Sequence, residues 1–108
     1  MNAAEEVAKL QAMFSGAEAL ADGAHTFVFL PRLQILSGQL LERDALLCPH
    51  AHSGYRTRLF LSAPIPRKGA NWTRHVLFTR TWHTWSWQNI SADQAWANIL
   101  ANHLAALR

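Results

Sequence analysis

Residues 48–52 of this 108-residue chain, which read CPHAH, combine a thiol with two histidines and could therefore carry covalent chemistry. Cys48 is the single cysteine of the sequence. A thiolate next to a histidine base is a nucleophile for covalent catalysis, so Cys48 could be activated by His50 or His52. The alternative is a structural role, because a lone thiol in an apolar stretch is usually buried.

The same residues also suggest a zinc site, since Cys48, His50 and His52 are all ligands that zinc accepts. Zinc sites usually combine ligand pairs from two separated segments, and the sequence has no second CxxC or HxxxH pair. His75 or His83 would have to complete the site. We therefore predict no metal and no cofactor.

Charge and aromatic residues concentrate in the middle of the chain. The net charge is +3, and no acid lies between Asp44 and Asp93. Four of the five tryptophans fall within residues 72–87. Such a segment either builds the core of a small domain or forms a binding surface. The basic residues of this stretch are Arg56, Arg58, Arg67, Lys68, Arg74 and Arg80.

The length and the short apolar runs predict one domain, over residues 1–108, that does not enter a membrane. The N-terminus lacks the pattern of a signal peptide, and the single cysteine rules out an intrachain disulfide. We therefore expect a cytoplasmic protein.

The hydrophobic pattern predicts a helix, then strands, then a second helix. Residues 1–23 should form the N-terminal helix, over residues 3–15, followed by a turn at Asp22-Gly23. Residues 24–88 should form three or four antiparallel strands. The candidate strands are residues 25–30, ended by Pro31, 44–48, 56–62 with one better-buried face, and 73–87 as one long strand or two joined by a bend.

Residues 91–108 predict the C-terminal helix. Ser91 and Gln94 fit a capping box, and an apolar stripe at helical spacing follows. His103 lies on that stripe, so we expect a core or interface histidine rather than a catalytic base.

This order resembles the front two-thirds of the ubiquitin-conjugating (UBC) fold. The segment ALLCPHAHSGYRTRLFLSAPIP is similar to the strand, Tyr-Pro turn and next strand of that family, with Tyr55 as the tyrosine and Arg56 in place of the proline. The segment TWHTWSWQNISADQAWANILANHLAAL is similar to the Trp-Ser-Pro stretch and its following helix, with Trp85-Ser86 in register. The fold class predicted is thus α+β, a minimal UBC-like domain with a crossing C-terminal helix.

More narrowly, the set of motifs resembles a prokaryotic UBC-like family found in bacterial ubiquitin-like conjugation operons. That resemblance implies a protein that accepts a ubiquitin-like protein from a ThiF-type activating enzyme, in a pathway that often includes a JAB-type peptidase. The N-terminal helix and the basic central face would dock these partners. The predicted binding residues are Tyr55, Asn71, Trp72, Trp82 and Trp85, where Asn71 stands for the family's oxyanion-supporting asparagine.

The sequence departs from the UBC pattern at the nucleophile. The expected window, residues 71–84, contains neither a cysteine nor a His-Pro-Asn motif. A hydroxyl could replace the thiol and form an oxyester, with Ser86 and Thr79 as the leading candidates, Cys48 as the alternative, and His75 or His83 as the base.

Two other functions remain open. A non-catalytic UBC-like adaptor would bind the same partners and hold them together, which suits the missing cysteine. A module that binds single-stranded nucleic acid through the basic, tryptophan-rich segment ranks below it, because the charge of +3 is modest and no nucleic-acid motif is present.

Overall fold

The structure, a computed structural model, describes residues 2–86 and 89–108. Its elements in chain order are α1 (Ala3–Met13), β1 (Glu18–Asp22), β2 (His25–Leu36), β3 (Leu40–Cys48), β4 (Arg58–Leu61), β5 (Trp72–Leu77), β6 (Arg80–Trp85) and α2 (Trp96–Ala106). The predicted α+β class and the order of helix, strands and helix are confirmed.

All strands pair antiparallel in one sheet of order β1-β2-β3-β4-β6-β5. The described residues therefore form six strands, and the prediction of three or four was wrong. One extra strand, β1, lies in the segment that was predicted to be a turn. The stretch from residue 73 onwards divides into β5 and β6, in agreement with the two-strand alternative, and Trp87, its predicted end, lies outside the described residues.

The helix α1 begins and ends as its sequence dictates. The side chain of Asn2 accepts a hydrogen bond from the backbone N–H of Glu5 at 3.3 Å and so caps the first turn. Gly16, with φ of +80°, follows the helix and lies against Pro31. A Cβ atom at this position would come within 2.9 Å of Pro31 Cγ, so a side chain there would meet both backbone strain and a clash.

The strand β2 continues past Pro31, where the sequence predicted it to end. Its partner β1 reaches only to the pair Glu18–Phe29, so the missing N–H of Pro31 has no ladder partner to lose on that side. On the β3 side the register shifts between Leu30 and Leu33. Arg32 sits in this irregularity with φ of 51°, and its N–H donates to Asp44 Oδ1 at 2.9 Å.

The strand β4 is buried along its whole length, although the sequence predicted that one face would be better buried than the other. All four of its residues are buried. The reason is that side chains on both sides of the sheet are covered at this central position, by the helices on one side and by the chain that follows β3 on the other.

The capping box predicted for the C-terminal helix is absent. The helix begins at Trp96, and its N-cap residue Ala95 provides no side-chain hydrogen bond. Gln94 instead donates from Nε2 to the carbonyl of Ser91 at 2.9 Å. The first turn of α2 is capped from α1, because Glu6 Oε1 accepts the backbone N–H of Trp96 at 2.9 Å.

The sheet separates two different cores. On the helix-covered face, aliphatic residues of β2, β3 and β4 pack against α1 and α2. On the open face, to which no described helix residue contributes, the buried residues are Phe27, Leu46, Cys48, Phe60 and Trp82. Neither helix is long and apolar enough to cross a membrane.

Candidate functional site

The open face carries a polar cluster at the end of the sheet where β3 ends and β4 begins. Arg58 occupies its centre, since it shares the face of Phe60 by strand alternation. The loop after β3 and the end of β6 supply its neighbours. We define the Arg58 cluster as His52, Ser53, Tyr55, Arg58, His75 and Ser86.

The guanidinium of Arg58 is held from three directions. Nε donates to Ser53 Oγ at 3.0 Å, and Nη1 donates to Ser86 Oγ at 3.3 Å. The ring of Tyr55 stacks on the guanidinium, with 4.0 Å between Cζ and the ring centroid. These contacts fix the plane of the group but provide no negative charge.

Arg58 is buried, with 3% of its surface exposed, yet no carboxylate of the described residues pairs with it. Of the described acids, Glu6 pairs with Lys9 and Asp44 with Arg80, and no salt bridge involves Arg58. Burial lowers the pKa of Arg58 below its ordinary value, although an arginine in a protein keeps its charge. A buried cation without a counter-ion is unusual because desolvation of the charge costs several kcal/mol, about 3–5 when a partner is removed.

One guanidinium nitrogen remains available. Nη2 of Arg58 forms no hydrogen bond with residues 2–86 or 89–108, and it is not among the fully enclosed polar atoms of this part of the chain. It is therefore not completely enclosed, although Arg58 as a whole is only 3% exposed.

The histidines around Arg58 are kept neutral. Burial lowers the pKa of His52, and the nearby His75 and Arg58 lower it further. Burial and Arg58 lower the pKa of His75 in the same direction. The rings of these two histidines meet edge to face at 5.4 Å, and His52 Nδ1 lies 3.1 Å from Ser53 Oγ. At neutral pH the cluster thus carries one positive charge, that of Arg58.

Chemically, this arrangement can accept an anion. Its charged group is a donor, its hydroxyls are already oriented by that donor, and its histidines are uncharged. Two exposed hydroxyls lie beside histidines of the cluster: Ser53 Oγ, which accepts from Arg58, is 3.1 Å from His52 Nδ1, and Thr73 Oγ1 is 3.1 Å from His75 Nε2.

Cys48, the predicted alternative nucleophile, is fully buried in the open-face core. Its Sγ donates to the carbonyl of His50 at 3.3 Å and lies 3.4 Å from His50 Nε2. Burial raises the pKa of the thiol to about 11. The thiol form is therefore the stable one, and the structural interpretation of Cys48 fits this environment better than the nucleophilic one.

The two predicted hydroxyl nucleophiles, Ser86 and Thr79, lie in different environments. Ser86 belongs to the Arg58 cluster. Thr79 lies in the exposed turn between β5 and β6 with φ of 61°, and its Oγ1 donates to the carbonyl of Phe78 at 2.6 Å. Within the described chain neither hydroxyl contacts a histidine. His75 bonds instead to Thr73 Oγ1 at 3.1 Å, and His83 is half-buried on β6.

The predicted binding residues divide between the two faces. Tyr55 belongs to the Arg58 cluster, and Trp82 lies in the open-face core, where its Nε1 donates to the carbonyl of Leu77 at 3.1 Å. Trp72 and Trp85 stack at 6.3 Å and pack against the helix-covered core. Asn71 is exposed, and its carbonyl accepts the N–H of Ser86 at 2.8 Å. Trp72, Trp82 and Trp85 therefore serve mainly as core residues.

His103, predicted as a core or interface histidine, is held by Thr57. Thr57 Oγ1 donates to the carbonyl of Ile90 at 2.8 Å, so His103 Nε2 donates to that hydroxyl at 2.9 Å. Burial, with a smaller contribution from Arg58, lowers the pKa of His103 to about 4. This histidine is consequently neutral and structural.

Sequence reasoning missed Arg58 as the central residue. It grouped Arg58 with the basic stretch and assumed an exposed face for it. The usable signal was its spacing: Arg58 precedes Phe60 by two residues on a strand, and the two therefore share a face. In the described part of the chain, no group of three or more Cys, His, Asp or Glu side chains could hold a metal ion.

Comparisons with family models, with curated proteins and with solved structures find no match to this chain.

Proposed function

We propose that this protein is a non-catalytic UBC-like adaptor of a bacterial ubiquitin-like conjugation pathway. It binds a ubiquitin-like protein and a ThiF-type activating enzyme and holds them together. The proposal starts from the resemblance of residues 24–108 to a prokaryotic UBC-like family. The α+β architecture is compatible with that resemblance.

The observation that favours an adaptor over a transferase is the state of the candidate nucleophiles. The thiol of Cys48 is buried, and its pKa is raised to about 11. The Ser86 hydroxyl accepts a hydrogen bond from Arg58, and the Thr79 hydroxyl donates one to the carbonyl of Phe78. A hydroxyl requires a general base to become a nucleophile, and among the described residues neither Ser86 nor Thr79 has one.

Intact mass spectrometry separates the two functions. The chain is incubated with ATP, a bacterial ubiquitin-like protein and its ThiF-type activating enzyme, and the mixture is also passed over a sizing column. We expect co-elution of the three proteins with no change in the mass of this chain.

An increase by the mass of one ubiquitin-like protein would contradict the adaptor proposal and support a transferase. Ser86→Ala, Thr79→Ala and Cys48→Ala would then identify the acceptor. Removal of the adduct by hydroxylamine distinguishes an ester or thioester from an amide. Failure of the proteins to co-elute, with no adduct, would overturn both functions.

A further inference from the structure

We propose that Arg58 is the centre of a binding site for a carboxylate that a protein partner supplies. The Nη2 atom of Arg58, which has no hydrogen-bond partner among the described residues, donates to the carboxylate, and the Ser53 and Ser86 hydroxyls hold the guanidinium in place. The site does not depend on the conjugation pathway, because any protein with a suitably placed carboxylate can occupy it.

The first support is electrostatic. Arg58 is the buried cation of the described chain, and the two ion pairs of the described residues, Glu6 with Lys9 and Asp44 with Arg80, do not include it. A carboxylate on Nη2 would form a charge-assisted hydrogen bond, which is about twice as strong as a neutral one. It would also remove the uncompensated charge.

The second support is preorganisation. Three contacts, to Ser53, Ser86 and Tyr55, already fix the guanidinium plane at 3.0, 3.3 and 4.0 Å. A ligand therefore does not need to order a flexible side chain, which would otherwise reduce its affinity. The stacked Tyr55 ring covers one face of the guanidinium.

The charge of the cluster selects the class of anion. His52 and His75 are neutral near pH 7, since burial and Arg58 lower the pKa of each. The cluster consequently offers one positive charge, which matches a carboxylate. A phosphate group carries about −1.5 to −2 at this pH and would retain excess negative charge in a partly buried site.

The test is a two-dimensional ¹H–¹⁵N NMR titration of the labelled chain, observing the Nε–H signal of Arg58. Three peptide probes are used: acetyl-tetra-alanine with a free C-terminus, the same peptide as its C-terminal amide, and an amidated peptide with one central glutamate. We expect the Arg58 signal to shift with the first or third probe and not with the second. The first probe reports a terminal carboxylate as the source and the third reports a side-chain carboxylate.

A matched pair of variants provides the control. Arg58→Met and Arg56→Met each remove one positive charge, but Arg56 is exposed and lies outside the cluster. Arg58→Met should weaken the binding of the active probe roughly tenfold or more. Because this variant lacks the Arg58 Nε–H signal, its binding is measured from the backbone amide signals of the cluster. Arg56→Met should change it less than about twofold.

The same spectra report whether each variant is folded. Ser86→Ala, which leaves Arg58 in place but removes one of its anchors, gives a second measure and should weaken binding by a smaller factor. Equal shifts with the amide probe, no shift with any probe, or equal loss in Arg56→Met and Arg58→Met would each overturn the proposal.

Discussion

The two sides of the sheet each bury one charged residue, and the two are treated in opposite ways. On the helix-covered side, Glu6 pairs with Lys9 at 3.1 Å and accepts the N–H of Trp96 at 2.9 Å. On the open side, Arg58 has hydroxyls and an aromatic ring around it and no carboxylate. Glu6 therefore has an oppositely charged partner within the fold, whereas Arg58 has none among the described residues.

This difference indicates a division of labour. The charge of Glu6 contributes to stability because it joins α1 to the first turn of α2. The charge of Arg58 has no such partner among the described residues, and in our proposal it serves binding instead. We infer that the helix-covered side maintains the fold and that the open side does the binding.

The largest expected change in the free energy of unfolding comes from a substitution on the helix-covered side of the sheet. Ile99 is fully buried between α2 and the sheet, and Ile99→Ala should lower the free energy of unfolding by about 2–5 kcal/mol. Urea denaturation followed by tryptophan fluorescence measures the change. The Arg58 signal should still shift with the active carboxylate probe, and loss of that shift in a folded Ile99→Ala protein would contradict the division of labour.

The next effect is a pH dependence that originates at His103. Its pKa in the folded protein is about 4, below the ordinary 6.5, so the unfolded chain takes up the proton first as pH falls. The contribution of His103 to the free energy of unfolding is therefore fully present above pH about 6.5 and decreases between pH 6.5 and 4. The total decrease from this group is about 3 kcal/mol.

Denaturation curves recorded between pH 7.5 and 4 check this pH dependence. His50, His52 and His75 also have lowered pKa values and contribute in the same direction. His103→Gln should therefore flatten the curve without abolishing the slope. An unchanged slope in this variant would show that His103 is not the main group.

The smallest effects give the sharpest contrast, since they compare the two buried charges directly. Glu6→Gln should lower the free energy of unfolding by about 1 kcal/mol, because the cap of α2 loses its charge. Arg58→Met should leave stability unchanged or raise it by about 1 kcal/mol, because an apolar side chain of similar size removes a desolvated charge. Equal losses in both variants would mean that Arg58 is as structural as Glu6.

The contrast also explains what the sequence could predict. Helical and strand periodicity located α1, α2 and the central strands, because these patterns reflect local geometry. Strand β1, with the sequence EALAD, was not predicted because it is short and its residues are mostly exposed. The passage of β2 through Pro31 depends on where a neighbouring strand stops, which no local pattern encodes.

The cap of α2 and the Arg58 cluster escaped for a related reason. Ser91 and Gln94 have the right spacing for a capping box, but Glu6, 90 residues away in sequence from Trp96, performs that role. Arg58 gathers Ser53 and Ser86 from two different segments. Contacts of this kind become visible only when the topology is known, and Ser86 was accordingly identified for a different chemistry.

The most direct test of the central claim is the thermal stability of the wild type and of Arg58→Met, measured in sodium acetate and in sodium chloride of equal ionic strength at pH 7. If Arg58 lacks a counter-ion that a carboxylate can supply, acetate should raise the Tm of the wild type relative to chloride. At ten times its Kd the ligand would add about 1.4 kcal/mol. Arg58→Met should have the same Tm in both salts. Equal differences between the two salts in both proteins would contradict the account.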